Sequence, residues 1–426
     1  MRMFGSHPPY ENSDVRWHRK GNRQLIRVCM ITARFYPEYG GGARQALQLC
    51  LEIRNRGISP FVVTRDYRNS FSMFDTMEDR IFGVRVFRLP SVFEKGIFSK
   101  LWFVVRLLAF LACHHTRYEV IHVHGIRHYT YPVLLLAKGM GKKVIVKMTC
   151  FGVDDPLTLK SKRFGRQRLK LLSLADRVIG VSSELCNSYR QSSLCPDKLI
   201  YIPNGVDTEK FKGLGTDRRL RLRDKLGVSA ESLVVVFIGS ITKRKGADLL
   251  IQSWEKMIER FPISTLVMIG PRDENEGTIK ERYLTDNLLE YLRNKGLKET
   301  VIFTGYLTDV REYLQISDIF VLPTNREGLP TALLEAMACG VAPLATRLDS
   351  LSELIRDKVN GLLFEPGKAR QLSECLILLA GNTQLRRSYG RASRKVVLER
   401  YCLDVVADDY AGLYRVLLSQ RVDAQE

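Results

Sequence analysis

The sequence predicts an α/β protein made of two doubly wound parallel-sheet domains that face a central cleft. Three observations predict it. The chain has 426 residues, too many for one hydrophobic core of ordinary size. Short apolar runs with strand character alternate with helical segments in both halves, the pattern of a parallel sheet covered on both faces. Loops carrying glycine, lysine and glutamate fall where strands end, and sheets of this kind bind ligands at those ends.

Residues 27–32 read as the first strand. Pro37-Glu-Tyr-Gly40-Gly41-Gly42-Ala43 follows, then a helical stretch over 44–56 ended by Gly57, and a second strand over 61–64. Glycines at the start of a helix let the backbone approach a ligand closely. Their spacing is not the Gly-x-Gly-x-x-Gly of a dinucleotide site. Residues 97–113 are strongly apolar but contain Lys100 and Arg106, so they predict a buried or half-buried helix rather than a membrane span. Trp102 and Phe103 would anchor that helix if it lay in a lipid interface. Residues 160–170 gather Lys160, Lys162, Arg163, Arg166, Arg168 and Lys170, either a solvated helix face or a patch for an anionic surface.

Further strands are expected at 120–124, 144–147, 177–181 and 199–202. Five of the seven histidines (114, 115, 122, 124 and 128) cluster. His122 and His124 alternate within a strand, and no acid or cysteine stands at ligand spacing beside them. A strand end opening into a polar cleft is therefore expected rather than a metal site. Pro203-Asn-Gly-Val-Asp207 interrupts the pattern, and a charged stretch runs to Lys225; the domain boundary is placed here.

The second half repeats the theme. A strand over 233–239 opens into Ser240-Ile-Thr-Lys-Arg244-Lys245-Gly246, and a helix follows over 247–260. Strands are expected at 265–270, 301–304, 319–322, 342–345 and 362–364, and a last helix at 402–418. The stretch Glu327-Gly-Leu-Pro-Thr-Ala-Leu-Leu-Glu335-Ala-Met-Ala-Cys-Gly340 stands out. Pro330 suits a first helical residue, Leu333, Leu334 and Met337 fall on one face, and Gly340 reads as the stop. The N–H groups of Gly328 and Leu329 would then point out of a helix N-terminus, which attracts an anion. Amides suit a phosphate and the two carboxylates suit sugar hydroxyls, so a ligand that is part phosphate and part sugar satisfies the whole loop.

Charge is distributed unevenly. The net charge is +20; residues 1–212 hold 35 Lys and Arg against 17 Asp and Glu, whereas residues 213–426 hold 31 against 29. The first half should therefore meet something anionic. The nine cysteines are odd in number, scattered and without a Cys-x-x-Cys pair, which argues for reduced thiols in a cytosol. No signal-peptide pattern is present. The basic segments have little aromatic interleaving and no nucleic-acid reading module is visible, so nucleic acid is not an expected partner.

Taken together, Pro37-x-x-Gly40-Gly41, Pro203-Asn-Gly-Val-Asp-x-x-x-Phe211, Gly239 with Lys245-Gly246, and Glu327-x7-Glu335 make the chain resemble the retaining glycosyltransferases of family 4. These have the GT-B fold of two Rossmann-like domains, and the resemblance runs from about residue 27 to 415. Residues 1–26 are polar and basic and read as a disordered extension; the resemblance implies an acceptor-binding domain over 27–205, a nucleotide-sugar-binding domain over 206–400 and a C-terminal helix over 401–426 crossing back to the first domain. Glu335 would hold ribose hydroxyls and Glu327 hydroxyls of the transferred sugar, with Gly328 and Leu329 among the donor-binding residues. Lys245 would neutralise the diphosphate, helped by the Gly40–Gly41 amides from the opposite domain.

The donor implied is a UDP- or GDP-sugar and the acceptor a lipid-linked or polysaccharide glycan, handled at the cytoplasmic face of an anionic membrane. No cofactor or metal is expected, because no Asp-x-Asp motif lies near the loops and Asp154-Asp155 is adjacent rather than alternating. The family usually accounts for retention by same-face attack, with the leaving phosphate taking the acceptor proton.

Two departures matter. The family often has Gly-Arg where this chain has Gly239-Ser240, so Arg244 or Arg272 would have to substitute. Thr149 stands where a histidine is common, so His124, Thr149 and Asp154 become the candidates on the acceptor or sugar side. Alternatives are a nucleotide-sugar epimerase of the same architecture and a non-catalytic nucleotide-sugar-binding relative.

Overall fold

A computed structural model describes residues 25–38, 40–66, 76–90, 96–272 and 284–419. Of the expected basic extension over 1–26, residues 1–24 lie outside the described residues.

The first domain is an eight-stranded sheet ordered β3-β4-β2-β1-β5-β6-β7-β8. Its strands are β1 (Ile26–Thr32), β2 (Ile58–Arg65), β3 (Met77–Ile81), β4 (Val84–Leu89), β5 (Val120–His124), β6 (Lys143–Met148), β7 (Arg177–Gly180) and β8 (Leu199–Tyr201). All pairs are parallel except the β3–β4 hairpin at the edge. That hairpin is absent from the sequence reading. Its turn places Phe82 and Gly83 at φ 49 and 80, the twist a two-residue hairpin requires, but without the Asn-Gly wording that announces one. Its outer strand, Met-Glu-Asp-Arg-Ile, is charged, as an edge strand should be.

The second domain is a six-stranded parallel sheet ordered β11-β10-β9-β12-β13-β14. Its strands are β9 (Leu233–Ile238), β10 (Ser264–Ile269), β11 (Val301–Gly305), β12 (Ile319–Leu322), β13 (Ala342–Thr346) and β14 (Leu362–Phe364). In each sheet the chain runs outward in one direction and then turns back, so the strand order reverses between β1 and β5 and between β9 and β12. The loops that follow these four strands open at the two switch points, where doubly wound sheets hold ligands.

The helix after β1 is Gly41–Arg54, three residues earlier than the expected 44–56. Glycines are poor helix formers, so their inclusion in the first turn was not predictable from propensity. The apolar segment forms the helix Ile97–Cys113, as expected. Phe103, Leu107, Phe110 and Leu111 are buried in the core, while Ile97 is 76% and Phe98 70% exposed. Among the described residues no helix is long and apolar enough to cross a membrane. The basic segment is two short helices, Pro156–Ser161 and Gly165–Leu172, broken at Phe164 with φ 61.

The C-terminal helix Leu403–Ser419 packs on the first domain. Val406, Ala407, Tyr410, Ala411, Tyr414 and Leu417 share a core cluster with Val28 and Met30 of β1 and with Ala46 and Cys50 of the Gly41–Arg54 helix. Each fully buried large apolar side chain in such a layer contributes about 1.5–3 kcal/mol. Arg56 adds polar anchoring, paired with Glu52 at 2.8 Å, with Asp408 at 2.7 Å and with Asp404. The chain reaches this helix beside the interdomain segment, where Val206 N donates to Tyr401 O and Leu403 N to Val206 O, both at 2.9 Å.

Candidate active site

Glu327 lies on the loop after β12, and Lys245 ends a 3-10 turn after β9. Their side chains form an ion pair, and the two loops are tied further by backbone. Asn325 N donates to Arg244 O at 2.9 Å and Thr324 Oγ1 to the same oxygen at 3.2 Å. Gly246, at φ 71, sits so close to the loop that a Cβ would lie 2.0 Å from Pro323 O. Only glycine fits there, so the Lys245-Gly246 pair is a geometric unit: the glycine brings the lysine to the glutamate.

Glu335 is in the following helix, Thr331–Ala338, whose N-cap is Pro330 in extended conformation. Pro330 is thus the residue before the helix rather than its first, a correction of one position. Glu335 is completely buried and faces the first domain. Arg44 Nη1 donates to Oε1 and to Oε2, each at 3.1 Å, and Arg44 Nη2 donates to Thr308 O at 3.0 Å. Burial pushes the Glu335 carboxyl up, and Arg44 opposes that shift. Arg44 has no place in the motif reading. Its position one turn into the glycine-loop helix was visible, but its partner, 291 residues away, was not.

The glycine loop meets this helix directly. Gly40 is the N-cap of Gly41–Arg54 with φ 150, and a Cβ on Gly41 would lie 3.7 Å from Thr331 Oγ1. Two helix N-termini from different domains therefore face each other, and their unpaired amides make the space between them favourable to an anion. Gly328 lies against the first domain. It forms an isolated antiparallel bridge with Cys150, and a Cβ on it would lie 2.0 Å from Thr149 O. Its backbone is engaged by the first domain because the loop after β6 lies directly against it. Leu329 is buried, and its carbonyl accepts from Asn204 Nδ2 at 2.8 Å.

Ser240, at the position where an arginine is common, is buried and turned toward Thr242, 3.4 Å between hydroxyls. Arg244 is on the same turn as Lys245, and Arg272 O accepts from Thr285 Oγ1 at 2.7 Å. Arg244 and Arg326 stand close enough to hold down the Cys150 thiol, which burial, then Glu327 and Asp154, push up to about 11. Arg326, whose Cδ would lie 3.5 Å from a Cβ on Gly152, is a second cation that motif reasoning missed.

The first-domain candidates divide. Thr149 is at the cleft, its hydroxyl donating to Asp154 Oδ2 at 2.8 Å. Asp154 is buried beneath the loop and also accepts from the backbone of Thr149, Cys150 (2.8 Å) and Ile126 (3.2 Å). Its carboxylate shapes the loop that touches Gly328. Asp155 is likewise committed, to Thr158 N, Gly152 N and Ser188 Oγ.

His124 does not face an open polar cleft, contrary to the sequence expectation. It stacks on His122 with ring centroids 4.2 Å apart, in the layer that the C-terminal helix covers. His122 Nδ1 is 2.8 Å from Tyr414 Oη, and Lys147 lies over the Tyr410 ring at 5.4 Å. Burial, and then Lys147, push His124 down to about 3, and burial brings Lys147 down to about 7. Strand alternation put both histidines on one face. What covers that face is a helix nearly 300 residues away in sequence. Among the described residues no group of three or more His, Cys, Asp or Glu could hold a metal ion.

The family described as Glycosyltransferase Family 4 matches residues 39–210, and Glycosyl transferases group 1 matches residues 218–396. The chain is 24% identical over 395 residues to N-acetyl-alpha-D-glucosaminyl L-malate synthase of Bacillus anthracis, covering 89% of this chain and 94% of that protein. It is 26% identical to N,N'-diacetylbacillosaminyl-diphospho-undecaprenol alpha-1,3-N-acetylgalactosaminyltransferase of Campylobacter jejuni, covering 62% of this chain and 67% of that protein. Among solved structures, Anabaena HepE in complex with UDP and glucose superposes with a TM-score of 0.73 at 18% identity, covering 91% of this chain and 98% of that one. The two family matches adjoin one another across the domain boundary, and the paired sheets are the GT-B architecture. This chain belongs to the group 1, family 4 glycosyltransferases.

Proposed function

We propose that the protein is a retaining, metal-independent glycosyltransferase that moves a sugar from a UDP- or GDP-sugar to a lipid-linked or polysaccharide acceptor at the cytoplasmic face of a membrane. The observation that carries the reading is the meeting, at one cleft, of Lys245 with Glu327 and of two facing helix N-termini, with Glu335 alongside. Departure of a nucleoside diphosphate leaves an oxocarbenium-like sugar and a growing negative charge. A fixed cation and amides aimed at that charge stabilise it where water is excluded. In this reading Lys245 neutralises the diphosphate, Glu327 orients hydroxyls of the transferred sugar and Glu335 holds the ribose. The leaving phosphate takes the acceptor proton, so no separate base is required. Metal independence is supported by the donor set: the oxygens of Asp154 and Asp155 are already taken up by backbone and hydroxyl donors.

The named activity of the Campylobacter jejuni relative, transfer to a sugar on a diphospho-undecaprenol carrier, supports a lipid-linked acceptor, and the UDP held by HepE supports a nucleotide-sugar donor; the L-malate in the name of the Bacillus anthracis relative is a small acid and lies outside that acceptor class. An anionic lipid surface is supported by one face of the first domain. There Ile97, Phe98, Leu101 and Val105 of one helix and Phe164 beside the basic segment are more than half exposed. Apolar side chains rimmed by Lys and Arg are what an interfacial helix presents. The nine free cysteines suit a reducing compartment.

The test is a transfer and hydrolysis assay across a panel of UDP- and GDP-sugars, with native lipid extract as acceptor and with excess chelator in a parallel series. Release of nucleoside diphosphate with label entering the lipid fraction, unaffected by chelator and with retained anomeric configuration, is the expected result. Nucleotide-sugar binding with no turnover on any donor would overturn it, and abolition by chelator would overturn metal independence.

A further inference from the structure

We propose that Arg44, in the first domain, is a positioning residue of the donor site: it braces the Glu335 carboxylate from across the cleft so that a ribose diol can be held there. The inference rests on the assignment of Glu335 to the ribose made above.

The geometry is specific. One nitrogen, Nη1, lies 3.1 Å from each carboxylate oxygen. It therefore takes up two of the roughly four acceptor directions of the group and leaves one on each oxygen, enough for two vicinal hydroxyls. The other nitrogen, Nη2, is fixed by Thr308 O at 3.0 Å, in the loop that follows β11. That loop is joined to the glycine loop again by Tyr306, whose hydroxyl donates to Pro37 O at 3.3 Å. The guanidinium is thus rooted in one domain and gripped at its tip by the other. Among the described residues nothing else hydrogen-bonds or ion-pairs with the Glu335 side chain, which is 1% exposed.

A carboxylate without water needs a cation or donors to remain charged. Burial drives Glu335 up; Arg44, and then Lys210 from the interdomain segment, oppose this, while Asp309 adds to it. Cys339, at the end of the same helix, is itself pushed up to about 12, first by burial and then by Glu335, and Tyr306 is the further titratable group facing Arg44. Without Arg44 burial would hold the proton on the carboxyl to higher pH, and a protonated carboxyl offers a diol one good acceptor instead of two. Ribose recognition in the second domain then depends on contact with the first.

The experiment is titration calorimetry of UDP and of GDP on the full chain, comparing the parent with Arg44→Gln, Arg44→Lys and Glu335→Ala, at about pH 6.5 and about pH 8.5. For whichever nucleotide the parent binds more tightly, Arg44→Gln should weaken binding about tenfold or more at the lower pH, the size of a lost charged hydrogen bond. The loss should shrink as pH rises, because a carboxyl held up by burial ionises more readily there, and Arg44→Lys should recover part of it. Circular dichroism and melting temperature show whether each variant is folded. A loss of equal size at both pH values, or tighter binding by Arg44→Gln, would overturn the proposal; the second result would mean that Arg44 blocks the diol. If Glu335→Ala binds nucleotide as the parent does, the ribose assignment itself fails. If Glu335→Ala loses binding and Arg44→Gln does not, only the role of Arg44 fails.

Discussion

Glu327 and Glu335 are eight positions apart, and each is ion-paired, yet the two pairs are built differently. Glu327 meets Lys245 within its own domain, through two loops stitched by backbone bonds and by the close approach of Gly246 to Pro323. Glu335 meets Arg44 across the interdomain boundary, through a side chain that is fully buried. The first pair persists whatever the domains do relative to one another. The second exists only while they touch. Both carboxylates are buried, so leaving either without its cation is costly; only the Glu335 pair depends on the two domains staying in contact, so it is where the molecule is most vulnerable.

The largest effect should come from removing the buried acid. Glu335→Ala should reduce nucleotide affinity on the order of a hundredfold, two hydrogen bonds to a charged group being lost together; calorimetry with UDP and GDP checks it. Lys245→Met should instead lower kcat by about a hundred- to a thousandfold with a smaller change in nucleotide affinity. Its charge matters most as the diphosphate departs, so kcat and KM should separate. If both variants lose affinity alike, the distinction between a binding carboxylate and a departure-stabilising cation collapses.

A third prediction concerns the buried His122–His124–Lys147 layer beneath the C-terminal helix. His124 and Lys147 both have folded values below their ordinary ones, about 3 and about 7. The unfolded chain therefore binds more protons between about pH 7 and the ordinary lysine range, and again between about 3 and the ordinary histidine range. Stability should rise with pH through both windows and fall on acidification. Scanning calorimetry of His124→Leu should show a shallower loss below about pH 6.5 than the parent; an unchanged acid limb would contradict the assignment. The smallest effect is expected at the exposed face. Phe98→Ser should leave donor hydrolysis unchanged and reduce sedimentation with anionic vesicles severalfold at low salt, since one interfacial aromatic contributes only part of the anchoring.

Much of the framework was legible from pattern alone. The helix Ile97–Cys113 and the strands Val120–His124, Ile319–Leu322 and Leu362–Phe364 coincide with the sequence reading, because apolar runs of the right length bounded by turns leave little choice. The β3–β4 hairpin was not legible, since a charged edge strand carries no apolar alternation and Phe82 in a left-handed turn has no signature. The helix start at Gly41 was missed for a related reason, as two glycines argue against a helix that the packing imposes.

The candidate site shows the same division. Glu327, Glu335, Lys245 and the Gly40–Gly41 loop could be named from local wording, since Glu327, Lys245 and the glycines follow strand ends and Glu335 stands in the helix directly after the Glu327 loop. Arg44 as the partner of Glu335, Cys150 against Gly328, and the C-terminal helix over His124 could not. Each of these contacts joins residues more than a hundred positions apart, and no periodicity or spacing encodes such a distance. What the sequence by itself determined is the two-sheet architecture and the residues that end its strands, because both follow from local apolar pattern and turn chemistry. Only the tertiary structure decided which charges are buried and what they face, because burial and pairing are properties of surfaces that meet after the chain has folded.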